Sequence, residues 1–403
     1  MTFPVFSWLG PAHAVQVVVL LLLLASLVSA FIGYLKIPYT VGLVIAGILL
    51  DLLRVLPAET LNPDLVLWVL LPPLLFEAAF TIRWDTLLRV GLAVLIFATL
   101  GVLLAGFITA AIIVFVLHLP VEVAVLFGVL VSATDPVAVV ALFRQMPVPS
   151  QLRTFIEGES MLNDGTVVVL GRVLALFFVG GQLSVSAVVG DFIGIALGGL
   201  GIGVLVGLIA SLITRRIDDY LVETTLSVVV AYGSYALAEG LGTSGVLAAV
   251  GAGIALGNVG RRIGMSEQTQ TAITLLWEFL AFVANSFVFL LLGLAVVPRA
   301  LLAIWPNIVV GVLAAWLGRA VLVYGLGTLI ALVIGRPKLA WQHVIFWGGL
   351  RGALPVVVAI SLAEGLHLPS RLPTLVLGVV VVSLLIQGMT LEPVIKRALN
   401  LRR

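Results

Sequence analysis

The chain contains no cysteine among its 403 residues, which excludes a disulfide framework, a thiolate nucleophile and a metal site built on sulfur. Charged residues make up only 10% of the chain, whereas soluble globular domains average about 25%. The four histidines stand near the ends of apolar segments and are not paired at helical ligand spacing, so we expect no zinc site. The net charge of +2 involves no large basic patch, and we expect neither nucleic-acid binding nor a cofactor.

Apolar sequence fills most of the chain: 62% of the residues are hydrophobic and the mean hydropathy is +1.27. A helix needs about 20 apolar residues to cross a bilayer. Cutting the sequence at Pro, Gly and charge clusters predicts an all-α polytopic membrane protein with about 13 transmembrane helices. The predicted spans are 14–35, 39–56, 64–80, 90–117, 121–143, 154–179, 186–213, 222–239, 244–257, 272–297, 302–334, 343–363 and 373–395. The first span lacks the basic start of a secretory signal, so we expect a retained helix; cleavage near 28–30 (Val-Ser-Ala) is the alternative.

Basic residues separate into alternating loops. Fifteen of the 21 Lys and Arg residues fall in one set of loops, three in the other and three inside spans. The richer set contains Lys36, Arg83, Arg89, Arg144, Arg153, Arg215, Arg216, Arg261, Arg262, Arg336, Lys338, Lys396, Arg397, Arg402 and Arg403. The poorer set contains Arg54, Arg299 and Arg371. Since cytoplasmic loops carry excess Lys and Arg, the pattern predicts a multi-pass protein of the cell (inner) membrane with its N-terminus outside and its C-terminus in the cytoplasm.

Two predicted spans are interrupted near their centres. Span five contains 134–136 (Thr-Asp-Pro), and proline both removes a backbone donor and disfavours helix at the preceding residue. Span twelve contains 347–355, which holds three glycines and ends in proline. Paired interrupted segments indicate a transporter with inverted repeats and a midplane site, so we expect spans four to six to correspond to spans eleven to thirteen.

Span six carries two polar ridges. Ser160 and Asp164 are four residues apart and share one helical face, while Glu159 and Asn163 form a second pair on the adjacent face. If the first ridge faces residues 134–135, then carboxylate, hydroxyl and freed carbonyl oxygens converge, and a hard monovalent cation prefers such ligands. Asp164 and Asp135 have no adjacent cation in the sequence, which favours an ion-binding role for both.

The second ridge needs a positive partner, and Arg351 in span twelve is the predicted one. Glu159 and Asn163 would satisfy its guanidinium and hold two helices in register, a structural role that we favour over ion contact. Glu77 either lines the cytoplasmic approach or sits at the membrane interface. Four other charges inside spans are expected to pair or snorkel, without an assigned role: Arg172, Arg319, Asp191 and Glu278.

The glycine-rich stretch 198–203, followed by Gly207, superficially resembles a dinucleotide-binding loop. It lies inside an apolar predicted helix and lacks the strand and turn that such a loop requires. The pattern therefore predicts close packing of two helices.

Three motifs occur in order, each in its expected span: 134–136 (Thr-Asp-Pro), 158–166 (Gly-Glu-Ser-Met-Leu-Asn-Asp-Gly-Thr) and 348–353 (Gly-Gly-Leu-Arg-Gly-Ala). With these motifs the chain resembles, over nearly its whole length, the monovalent cation/proton antiporters of the sodium/proton exchanger type. The resemblance implies one transmembrane antiporter domain, 1–403, in a homodimer. It also implies a six-helix core, about 87–180 and 302–395, that moves against a dimerisation unit, about 14–80 and 186–297.

The same resemblance implies roles for individual residues. Asp164 would bind the cation or the proton, assisted by Ser160, the Thr134 backbone and Asp135, and Glu77 would contribute as it does in some relatives. Asn163 before Asp164 resembles the electroneutral branch, with one cation exchanged per proton. Sodium is the expected cation, with lithium and potassium as the alternatives.

Two other classes of function remain as alternatives. A cation channel could use the same broken helix, although the sequence lacks repeated filter loops and rings of like charge. An intramembrane aspartyl protease could use Asp135 and Asp164 as a dyad, which requires two carboxylates close enough to share a proton. That reading leaves Ser160, Asn163 and Arg351 unexplained.

Overall fold

A computed structural model of the chain describes residues 11–35, 37–53, 62–180, 184–334, 339–366 and 371–400. Every regular element within these ranges is helical. The first eight helices are α1 (Pro11–Leu35), α2 (Tyr39–Leu52), α3 (Pro63–Thr81), α4 (Trp84–Leu117), α5 (Val121–Leu130), α6 (Val137–Phe143), α7 (Ser150–Gly180) and α8 (Val185–Thr214). The others are α9 (Tyr220–Gly240), α10 (Gly245–Ile263), α11 (Glu267–Leu294), α12 (Pro298–Ala303), α13 (305–334), α14 (Leu339–Trp347), α15 (Leu354–Leu366) and α16 (Arg371–Ala398).

Ten helices in the described ranges are long and apolar enough to cross a membrane. The multi-pass prediction is therefore confirmed, while the count of thirteen spans stays a prediction. Six basic loop residues named above lie outside the described residues: Lys36, Arg54, Arg336, Lys338, Arg402 and Arg403.

Side-chain caps fix where several helices begin. The Asn62 side chain accepts from two amides at the start of α3, and Asp219 does the same for α9. Ser244 and Ser266 cap α10 and α11 in the same way. Caps of this kind satisfy amide groups that have no partner within the helix and so define where it begins.

The two predicted interruptions are confirmed, and they meet. Residues 131–136 separate α5 from α6, and residues 348–353 separate α14 from α15. The amide of Asp135 donates to the carbonyl oxygen of Leu350 at 2.7 Å, which joins the first break to the second. Gly352 permits this approach, because a Cβ at that position would lie 2.9 Å from the Asp135 Cβ.

The glycines of α8 pack against α10, as the sequence predicts. A Cβ at Gly199 or Gly203 would collide with the carbonyl oxygen of Ser244 or Ala248, respectively, and a Cβ at Gly207 would lie 2.7 Å from another carbonyl oxygen of α10. Small residues at a spacing of four allow two helix backbones to approach closely within a membrane.

Helix α7 lies between two groups of helices. On one side it contacts α4, α5 and α15, and on the other it contacts α3, α8 and α10. Helix α4 also packs on α5 and α13, whereas α2 packs on α11 and α3 packs on α10. Helix α7 therefore contacts helices of both groups.

Candidate functional site

Helix α7 holds its polar side chains against the first break. The buried Ser160 hydroxyl donates to the carbonyl oxygen of Thr134. The Asn163 amide donates to the Thr134 hydroxyl at 2.8 Å, and its oxygen accepts from the Thr134 amide at 3.4 Å. The structure thus brings Ser160 and Asn163, from the two ridges, onto the same residue of the break.

Asp164 and Asp135 line one cavity of about 640 Å³, together with Ser160. Asp135 accepts from the Val137 amide at 2.8 Å and so satisfies a free donor at the start of α6. In the described part of the chain, Asp164 forms no ion pair with any Lys, Arg or His side chain. Its carboxylate therefore faces the cavity without a fixed counter-charge.

The cavity extends from Asp164 to one face of the molecule. Its outer wall includes the exposed residues Ala141 and Arg144, together with Arg153. This is the end at which the basic loop between α6 and α7 lies. The cavity thus leads from the carboxylates to the face that the charge pattern assigns to the cytoplasm.

Helix α7 is closely packed on its neighbours beside and beyond Asp164. Gly165 follows it in α7, and a Cβ at Gly165 would collide with the side chain of Leu247 from α10. Two turns further along α7, the glycine at position 171 has Leu130 and Leu362 within ordinary contact distance of a Cβ.

Glu77 lines this cavity from α3, and its Oε1 lies 3.9 Å from Nη2 of Arg144. Glu77 thus lies in the wall of the cavity that contains the carboxylates, and its part in ion binding stays a prediction. The same Arg144 nitrogen lies 3.7 Å from Oε1 of Glu278, which α11 contributes to the wall.

The predicted partner of Glu159 is wrong. Glu159 forms a two-pronged ion pair with Arg319 of α13, and Arg319 Nη2 lies 3.0 Å from Glu159 Oε2. Arg319 also donates to the carbonyl oxygen of Ile345 at 3.1 Å, near the end of α14. All three groups are buried, so the ion pair joins α7, α13 and α14 inside the molecule.

Arg351 binds peptide oxygens instead of Glu159 and Asn163. Its Nη1 donates to the Ala133 carbonyl at 3.3 Å, and its Nη2 donates to the Ala315 carbonyl at 3.2 Å. The physical reason lies in the first break, because carbonyl groups that lose their helical partners carry partial negative charge and need donors. Arg351 supplies a donor there and leaves the carboxylate of Glu159 to Arg319.

Of the charges expected to pair or snorkel, Arg172, Arg319 and Glu278 form ion pairs. Arg172 Nη1 lies 3.4 Å from Glu239 Oε2, between α7 and α9. Asp191 is exposed on α8. The sequence contains one indication of the role of Arg319. Like Arg351, it lies in the middle of a predicted span, where an arginine needs an anionic partner.

The family model for the transmembrane sodium/hydrogen exchanger matches residues 19–397. The chain belongs to the sodium/hydrogen exchanger family.

The sequences of similar proteins align with most of the length of this exchanger. The Na⁺/H⁺ antiporter ApNhaP of Aphanothece halophytica is 39% identical over 375 residues, which is 92% of this chain and 71% of that protein. The Na⁺/H⁺ antiporter NhaH of Halobacillus dabanensis is 34% identical over 399 residues, which is 96% and 98%. The fold matches the structure of the sodium proton antiporter MjNhaP1 from Methanocaldococcus jannaschii with a TM-score of 0.78 at 24% identity, over 97% and 99% of the two chains.

In this exchanger the broken helix and α7 present oxygen atoms of three kinds. They are the carboxylate of Asp164, the hydroxyl of Ser160 and the carbonyl of Thr134, with the Asp135 carboxylate in the same cavity. Hard cations prefer oxygen ligands, and a carboxylate also binds a proton. The arrangement can therefore accept either species through the cavity.

Proposed function

We propose that this protein is a secondary active antiporter that exchanges a monovalent cation for a proton at Asp164. Sodium is the proposed cation, and lithium and potassium are the alternatives. One observation carries the proposal: the Asp164 carboxylate faces the cavity with no ion pair to a basic side chain in the described residues. The names of the similar Na⁺/H⁺ antiporters support it.

Exchange follows from the charge of this carboxylate. An ionised carboxylate without a counter-ion is costly to carry across the closed midplane, whereas a carboxylate neutralised by sodium or by a proton is not. Each crossing therefore requires one bound ion. Because the two ions compete for one site, the outward movement of one is coupled to the inward movement of the other.

We also propose the arrangement in which this cycle operates. The six-helix core, about 87–180 and 302–395, moves against the dimerisation unit, about 14–80 and 186–297. Two protomers form a homodimer in the cell membrane, with the N-terminus outside and the C-terminus in the cytoplasm. In support, α7 lies at the boundary between two helix groups, and α1 and α8 are the most exposed candidate spans of the described residues.

The test replaces Asp164→Asn, which keeps the size of the side chain and removes its charge. We expect exchange to fall to the background of empty liposomes, as measured with a pH-sensitive dye after a sodium pulse. Asp191→Asn is the control, because it removes an acid of the same kind from an exposed position on α8. Full exchange in the Asp164 variant, with a monodisperse protein, would remove this residue from the mechanism.

Family membership favours an antiporter over a cation channel and over an aspartyl protease, since the matched family is one of exchangers. Saturable flux that follows a pH gradient is the expected behaviour, and proteolysis by the purified protein is not expected.

A further inference from the structure

Arg144 bridges two sides of the cavity mouth. It directly follows α6, a short helix whose other end begins next to Asp135. Its Nη2 lies 3.9 Å from Glu77 on α3 and 3.7 Å from Glu278 on α11. The Arg144 side chain is 52% exposed, which places its contacts with the two carboxylates at the opening of the cavity.

This bridge crosses the boundary between the proposed moving units. Helix α6 belongs to the proposed core, whereas α3 and α11 belong to the proposed dimerisation unit. A second arginine at the same mouth, Arg153, pairs with Glu157 at 2.8 Å within α7. Arg153 therefore has the same charge and a similar location, but its ion pair remains inside one helix.

We propose that Arg144 is a positioning residue for exchange. It ties α6 to α3 and α11 while the cavity is open to this face. The inference rests on the proposed antiport function and assigns to that cycle a residue outside the oxygen set described above.

The strength of the bridge suits a step that must reverse in every cycle. Long ion pairs between partly exposed side chains contribute little and are weakened further by salt. A contact of this kind biases the conformation without locking it. When a cation neutralises Glu77, or when the core moves, Arg144 can release its partners.

Kinetics provide the first test, at constant pH and ionic strength. Arg144→Gln and Arg153→Gln each remove one positive charge from the mouth, so both should raise the local sodium concentration to a similar extent. Against that shared effect, we expect Arg144→Gln to raise the apparent KM for sodium at this face about fivefold, because the open conformation that binds sodium is less populated. Arg144→Lys should recover most of the original KM. Equal KM shifts in the two Gln variants would overturn the proposal.

Accessibility provides a second test that does not depend on transport. The chain has no cysteine, so Ala281→Cys on the cavity wall would be its sole thiol. A membrane-impermeant thiol reagent is applied from the face carrying Arg144, and the labelling rate is measured. We expect Arg144→Gln and Glu278→Gln each to slow labelling several-fold, because the open conformation loses its bridge, and Arg153→Gln to leave the rate unchanged.

The two tests separate the possible failures. One outcome is that neither the parent protein nor any variant shows exchange, while the labelling rates differ as expected. In that case the proposed antiport function is wrong and the proposed bridge is supported. If exchange is normal and the labelling rates of Arg144→Gln and Arg153→Gln agree, the bridge is overturned. A monodisperse elution profile of each variant checks that these exposed substitutions leave the protein folded.

Discussion

Arg319 and Arg351 are both buried near the centre of the molecule, but their charges are balanced differently. Arg319 has the carboxylate of Glu159, whereas Arg351 has two peptide carbonyl oxygens. A buried ion pair is costly to form but far more costly to break, since the remaining charge stays in a medium of low polarity. The Glu159–Arg319 pair should therefore determine whether α7 and α13 remain together.

Replacing Arg319→Met should destabilise the protein by about 3–5 kcal/mol, because Glu159 is then buried without a partner. The apparent melting temperature in detergent, followed by size-exclusion chromatography, measures the effect. The double variant Glu159→Leu with Arg319→Met should recover most of the loss, since no charge remains unpaired. If the double variant melts as early as the single one, the ion pair is not the source of the stability.

At this scale the sequence predicts contacts within a helix better than contacts between helices. The placement of Ser160 and Asp164 on one face follows from the helical repeat. The partner of Glu159 does not, because both Arg319 and Arg351 lie far away in sequence and both need neutralisation. The choice depends on which carbonyl groups the broken helices leave free, and only the packed structure determines that.

At the scale of helices, apolar length predicts the spans and local polar contacts determine their ends. The predicted span 244–257 ends at Gly257, yet α10 continues to Ile263. The Asn258 amide group donates to the carbonyl oxygens of Ile82 and Ile254, at 3.0 and 2.9 Å. The polar residue after the predicted end is thus satisfied in part by a loop distant in sequence, and the helix extends through it.

Close packing of α8 on α10 gives a prediction at the same scale. Gly203→Ala should lower the apparent melting temperature, because the added methyl group collides with the Ala248 carbonyl and forces the helices apart at a cost of about 1–3 kcal/mol. Gly201→Ala is the matched control in the same helix, since no atom lies within 4 Å of a Cβ there. Equal melting temperatures for both variants would show that the two helices tolerate a wider separation.

For the whole molecule, the carboxylates in the cavity determine how charge crosses the membrane in the proposed cycle. Asp164 and Asp135 both line the cavity, and within the described residues neither forms an ion pair with a basic side chain. In the proposed cycle Asp164 crosses with one bound ion in each direction. The sequence predicts this residue through its depth and its lack of a nearby cation, whereas the cavity that it lines depends on long-range packing.

An exchange of one cation for one proton should be insensitive to voltage. An electrogenic cycle would gain about 2.3 kcal/mol for each charge moved through 100 mV, which changes the driving force strongly. Liposomes clamped at different potentials with potassium and valinomycin, at one fixed pH gradient, should give the same initial rate of sodium uptake. A rate that rises or falls with the imposed potential would show that net charge moves in each cycle.

The cavity of about 640 Å³ has a pharmacological consequence. Pockets of roughly 300–1,000 Å³ accommodate drug-sized ligands. With its apolar walls and carboxylates at the inner end, this one suits a small organic amine. Because the opening lies on the face assigned to the cytoplasm, a permanently charged blocker added to intact cells should leave the protein active, whereas a membrane-permeant base of the same shape should inhibit it.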